Sequence, residues 1–200
     1  MLVAQKLSAH PHEFVTMRVA ANFDAAGQLE SFLYSWTFDP FFTAYAVEGH
    51  DANKDGVAQQ SELKALMAEV LKNIQPIDYF TKFEASGVAP DLGKAGPIAT
   101  EMTANNELTM TFTVPLKKPV KLDKQHLRYA IYDEEFYISM LHEENTKVDL
   151  INAPSGCKAS LEEPDPDEDL AAFAASLGRE ESGGNGLGIH FAEWVTISCM

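Results

Sequence analysis

Residues 13–38, EFVTMRVAANFDAAGQLESFLYSWTF, decide the fold. Val15, Met17, Val19, Ala21 and Phe23 recur at every second position, the period at which a strand turns one face to a core. DAAGQ then interrupts the alternation, and Phe32, Tyr34, Trp36 and Phe38 resume it, so the stretch reads as an antiparallel hairpin. Outward from it the same period returns. Tyr79, Thr81, Phe83 and Ala85 alternate in a strand predicted over about Asp78 to Ala85. PIATEMTA is expected to pair across Asn105-Asn106 with ELTMTFTVPL, where Leu108, Met110, Phe112 and Val114 share a face. Further strands are expected at His126 to Tyr132, Phe136 to Met140, Lys147 to Asn152 and at the two cysteine segments, with His190 on the last of them opposite Phe191, Val195 and Ile197. Short strands at turn-separated spacing predict a mainly β fold with a helical insertion, α+β in class. Its core would be two-layered and β-sandwich-like. With no internal repeat or central linker, residues 10–200 read as a single β-rich domain.

Two helical pieces decorate this core. The first is a helix-loop-helix excursion over 39–73, set off by Asp39-Pro40 as an N-cap and first turn before FFTAYAVEGH. Leu63, Leu66, Met67, Val70 and Leu71 form the apolar stripe of its second helix. Between the helices, DANKDGVAQQSE matches a calcium loop of EF-hand type, which needs oxygen ligands at its first, third and fifth positions, a glycine at the sixth, a carbonyl at the seventh and a bidentate glutamate at the twelfth. Asp51, Asn53, Asp55, Gly56, Val57 and Glu62 supply these, with Gln59 ligating directly or through water. Ala58 stands where paired loops carry a larger aliphatic residue, so an unpaired, structural calcium site is expected rather than a sensor; the bland alternative is a solvated turn between two helices. The second piece, DPDEDLAAFAASLG, reads as a short helix capped by Asp165 or Asp167 and stopped by Gly178.

The formal net charge of −15 makes nucleic acid and anionic membrane surfaces poor partners. No apolar run approaches the roughly 20 residues of a membrane span, so no direct membrane insertion is expected. Two cysteines, Cys157 and Cys199, fit an oxidising compartment and a disulfide that ties the last strand to the body, with two buried thiols as the alternative. At the start, Leu7-Ser8-Ala9 resembles the end of a signal peptide, and residues 1–9 read as a leader remnant cleaved near Ala9. Cleavage there would place a free amine and two imidazoles, His10 and His12, within three residues, all donors suited to zinc, copper, nickel or cobalt. Pro11 lacks the amide proton that a square-planar terminal site gives up, so other ligands must come from elsewhere in the fold. The alternative is a frayed, solvated terminus.

HPHEF, SWTFDPFFTAY running into DANKDGVAQQSEL, IYDEEFYI, APSGC and WVTISC together resemble an uncharacterised bacterial family of periplasmic transport components. Members are often encoded beside, or fused to, permeases of the nickel/cobalt type, and some are linked to zinc acquisition. The resemblance implies a periplasmic location, a metal permease as partner, and a transition-metal role for His10 and His12, with Asp133 of IYDEEFYI the preferred third ligand; Asp39 is explained as a helix cap. The expected function is a metal-binding accessory protein for a zinc, nickel or cobalt transporter, with calcium holding the fold. The alternative is a calcium-stabilised secreted interaction module without a transition-metal role. No nucleophile-base spacing and no cofactor-binding glycine loop points to an enzyme.

Overall fold

The computed structural model of the chain describes residues 10–51, 53–54, 59–85, 87–178 and 181–200. The hairpin that opens the chain is β1 (Glu13–Phe23) and β2 (Leu29–Phe38), paired antiparallel with Val15 opposite Phe38 and Ala21 opposite Phe32. Its turn is closed by Asp24, whose Oδ1 accepts from the amides of Ala26 and Gln28, while Gly27 takes the positive φ (+72°) that the tight return requires. Helices α1 (Pro40–His50) and α2 (Gln60–Ile74) follow. The remaining strands are β3 (Thr81–Phe83), β4 (Ala99–Met102), β5 (Leu108–Val120), β6 (His126–Ile131), β7 (Ile138–His142), β8 (Asp149–Ile151), β9 (Cys157–Glu162) and β10 (Trp194–Cys199), with α3 (Glu168–Ser176) between the last two.

Among the described residues the strands form two sheets. The first runs β4-β5-β2-β1-β7, with β8 also on β1, and the second runs β3-β6-β10-β9. The inner faces meet across an aromatic core: Phe32 stands 5.2 Å from Tyr129, and the Tyr34 hydroxyl lies 3.1 Å from Thr81 Oγ1. Tyr34, Trp36, Phe112 and Tyr129 are all essentially inaccessible to solvent, and burial of each large apolar side chain contributes roughly 1.5–3 kcal/mol before conformational entropy is set against it. Leu63, Leu66, Met67 and Leu71 of α2 join this core, as the stripe predicts, whereas Val70 is half-buried at its edge. No helix among the described residues is long and apolar enough to cross a membrane.

Three sequence expectations shift. The strand predicted from Asp78 starts only at Thr81, because Asp78, Tyr79 and Phe80 take left-handed φ values of 55°, 55° and 60° in a 3-10 turn, Gln75–Phe80. Tyr79 holds that turn down: its hydroxyl donates to Gly93 O and accepts from the Ala95 amide at 2.8 Å. β7 starts at Ile138 rather than Phe136, since Phe136 belongs to a turn with φ 57°, and it continues through His142. His190 is not on the last strand; it lies in a second 3-10 turn, Gly188–Phe191, and is exposed. The C-terminal helix is capped by Asp167, whose Oδ1 accepts from the Leu170 amide. Cys157 and Cys199 are disulfide-bonded, joining β9 to β10 where the antiparallel register sets them opposite one another.

Candidate functional site

His10, Pro11 and His12 lead into β1. Its parallel pairing with β7 sets Glu13 beside Ile138, so His12 falls beside Tyr137, and the His12 amide donates to Tyr137 O at 2.8 Å. The rings converge: His10 and His12 stand 4.8 Å apart, His12 and Tyr137 4.6 Å, and His10 and Tyr137 5.8 Å. His10 is only 4% exposed, and neither its Nδ1 nor its Nε2 has a hydrogen-bond partner among the described residues. Burying an imidazole in this way forfeits the hydrogen bonds water would make, on the order of 1–3 kcal/mol, so the position is a place to look for a ligand.

Asp133 sits close by, doing different work. Its Oδ2 accepts from the amides of Tyr137 (2.8 Å) and Ile138 (3.1 Å), and its Oδ1 from that of Glu135 (3.3 Å), so the carboxylate folds the turn that delivers Tyr137 to the histidines. The second 3-10 turn presses against the same segment at Gly188, where a Cβ would collide with the Asp133 carbonyl oxygen. Asp39 is likewise structural: its Oδ1 caps α1 through the amides of Phe41 and Phe42, and its Oδ2 accepts from the Phe14 amide at 2.9 Å. Between these two carboxylates lies Glu13, whose acidity is weakened first by burial and then by the negative charges of Asp39 and Asp133. This end of the sheet therefore combines two imidazoles, a phenol ring and a knot of carboxylates. Among the described residues no three His, Cys, Asp or Glu side chains are grouped closely enough to hold an ion. The fold thus brings His10 and His12 together without bringing Asp133 into one ligand set with them.

In the 51–62 loop, Asp55, Gly56, Val57 and Ala58 lie outside the described residues. Asp51 is the C-cap of α1, and Gln59 and Glu62 open α2 as a capping box, with Glu62 Oε2 accepting from the Gln59 amide at 3.1 Å. A cavity of about 430 Å³ is lined by Gly49, His50, Asp51, Ser61, Glu62 and Ala65, so the first and twelfth positions of the loop face one space. Asn53 is described but lines no part of that cavity.

Sequence reasoning assigned no role to His142. The structure buries it at the end of β7, where Glu193 Oε2 accepts from the His142 amide and stands 2.8 Å from its Nδ1, while Nε2 has no partner among the described residues. The signal was the alternation Ile138, Met140, His142, which continues two residues past the expected strand end.

In sequence, the chain is 28% identical over 197 residues to an uncharacterized protein of Haemophilus influenzae, covering 96% of this chain and 91% of that one. Residues 1–199 match a family over essentially their whole length, and the chain therefore belongs to the family described as "Protein of unknown function (DUF1007)".

Proposed function

We propose that this protein is a periplasmic metal-binding accessory protein that takes up zinc, nickel or cobalt for a membrane permease, with a calcium ion stabilising the 51–62 loop. One observation carries the reading: His10 is buried beside the His12 ring, with neither ring nitrogen partnered among the described residues. Imidazole is a borderline donor that suits these divalent ions, and the carboxylates of Glu13, Asp39 and Asp133 bias the surroundings toward a cation. Cleavage near Ala9 would add the terminal amine of His10 as a further nitrogen donor. A disulfide fits an oxidising compartment, and the resemblance to periplasmic transport components supplies the permease as partner. Asp51 and Glu62 facing one cavity support the calcium site.

A second reading, a calcium-stabilised interaction module, is favoured by Phe41 and Tyr45. They stand four residues apart on α1 and are 88% and 77% exposed, an aromatic pair of the kind that docks partners.

Elemental analysis with competitive metal titration separates the two on protein beginning at His10 and on the same protein carrying His10→Ala and His12→Ala. One calcium plus one transition metal, the latter lost on substitution, supports metal handling. Calcium alone, unchanged by the substitutions, refutes it in favour of the interaction module.

A further inference from the structure

The inner face of the first sheet carries one row in which Thr100, Met110, Trp36, Met17 and His142 follow one another across β4, β5, β2, β1 and β7. All five are buried, and three of them, Thr100 through Oγ1, Trp36 through Nε1 and His142 through Nε2, hold polar atoms with no hydrogen-bond partner among the described residues. At the β7 end of the row the chemistry becomes specific. Met17 is the lateral neighbour of His142, and Met140 precedes His142 by two residues on the same face. Met17 is 1% exposed, Met140 4% and His142 9%, whereas Leu141 between the last two is 39% exposed and points the other way. Two thioethers and one imidazole nitrogen therefore share a small buried area, about 16 Å along β1 from His12 at the ~3.3 Å rise of a strand.

Behind the imidazole, Glu193 is itself only 8% exposed and fixes the ring through Nδ1 at 2.8 Å. With Nδ1 carrying the proton toward this carboxylate, Nε2 presents a lone pair to the interior. A carboxylate holding the remote nitrogen of a histidine is the outer-shell arrangement that orients a metal-ligating imidazole and raises its basicity.

We infer that His142 Nε2 and the sulfurs of Met17 and Met140 form a second metal site, separate from the N-terminal histidines, for a soft monovalent ion, Cu(I). Thioether sulfur selects Cu(I), whereas zinc, nickel and cobalt favour nitrogen, oxygen and thiolate sets. A monovalent ion also carries the least charge into a core, and the Glu193 carboxylate stands behind the imidazole to offset it. Cys157 and Cys199 are joined to each other, so no thiol competes for the ion. On the opposite side of Met17 lies Trp36, in the same row.

The test is anaerobic Cu(I) titration of the full chain against a chromophoric Cu(I) chelator, in protein carrying His10→Ala and His12→Ala so that the N-terminal imidazoles play no part. One equivalent is expected to bind. Met17→Leu and Met140→Leu, made singly, conserve volume and keep the core packed, and each should weaken binding at least about tenfold, as should Glu193→Gln, since loss of an outer-shell partner lowers metal affinity by roughly 10–100-fold. Circular dichroism checks the fold of each variant. Should a variant fail to fold, copper K-edge absorption on the His10→Ala, His12→Ala protein decides instead, with sulfur scatterers expected beside imidazole. Absence of Cu(I) uptake, binding undiminished in folded methionine variants, or a shell of nitrogen and oxygen alone would overturn the site. None of those outcomes touches the proposal for His10 and His12, because the titrated protein lacks both imidazoles.

Discussion

Replacing Asp133 distinguishes a turn-forming carboxylate from a metal ligand. Its side chain accepts two well-formed backbone hydrogen bonds, at 2.8 and 3.1 Å, and a longer one at 3.3 Å, all within the turn that precedes β7. Each good bond to a partly exposed carboxylate contributes about 1 kcal/mol net, so Asp133→Ala should lower the stability of the metal-free protein by about 2 kcal/mol. Asp133→Asn keeps one oxygen where Oδ2 now accepts from Tyr137 and Ile138, and should lose less than half of that. The assay is urea unfolding in chelator followed by far-ultraviolet circular dichroism, with the midpoint shifting and the slope unchanged. Metal titration of the same variants gives the complementary reading. With Asp133 acting only through Tyr137 and the strand behind it, Asp133→Asn should retain most of the affinity that His12→Ala loses. A change in metal-free stability below about 0.5 kcal/mol for Asp133→Ala, the size of an ordinary surface substitution, would refute the structural role.

Glu13 gives a pH signature. Its pKa is raised in the folded state, so above the ordinary value of 4.5 the folded chain holds a proton that the unfolded chain has released, and stability falls as pH rises through that window. Glu13→Gln should remove this fall and stabilise the protein at neutral pH relative to the parent; stability curves of equal slope from pH 4 to 7 would count against a raised pKa at this half-buried carboxyl. The disulfide closes a loop with a sequence separation of 42, for which the chain-entropy relation gives about 4 kcal/mol. Cys157→Ala with Cys199→Ala should therefore lower unfolding stability by roughly 2–4 kcal/mol, read by denaturant titration, with the loss vanishing when the parent is compared under reducing conditions.

Much of the architecture was legible because a two-residue period is a local property. The faces Val15 to Phe23, Phe32 to Phe38 and Leu108 to Val114 appear buried as the alternation predicts, and Asp39-Pro40 starts α1 through the capping contacts its side chain makes. Where the structure departs from the alternation, a distant contact overrides local preference. Tyr79 sits in an alternating stretch, yet its hydroxyl is committed to Gly93 and Ala95, and the backbone beneath it turns left-handed. β7 runs two residues past the expected end at Met140, because pairing with buried Glu193 accommodates His142 on that inner face.

The candidate site divides along the same line. By itself, the sequence determined that two imidazoles lie within three residues, that a twelve-residue loop from Asp51 to Glu62 carries oxygen donors at calcium spacing, that the protein is strongly acidic, and that its strands have one face to bury. Those are consequences of residue type and short-range spacing. The tertiary structure alone decided that His12 lies against Tyr137, that His10 is buried with neither ring nitrogen partnered among the described residues, and that Met17, Met140 and His142 share one buried face. Each of these depends on the parallel pairing of β1 with β7, strands more than a hundred residues apart in the chain, and such a register is set by the packing of whole sheets rather than by any local pattern.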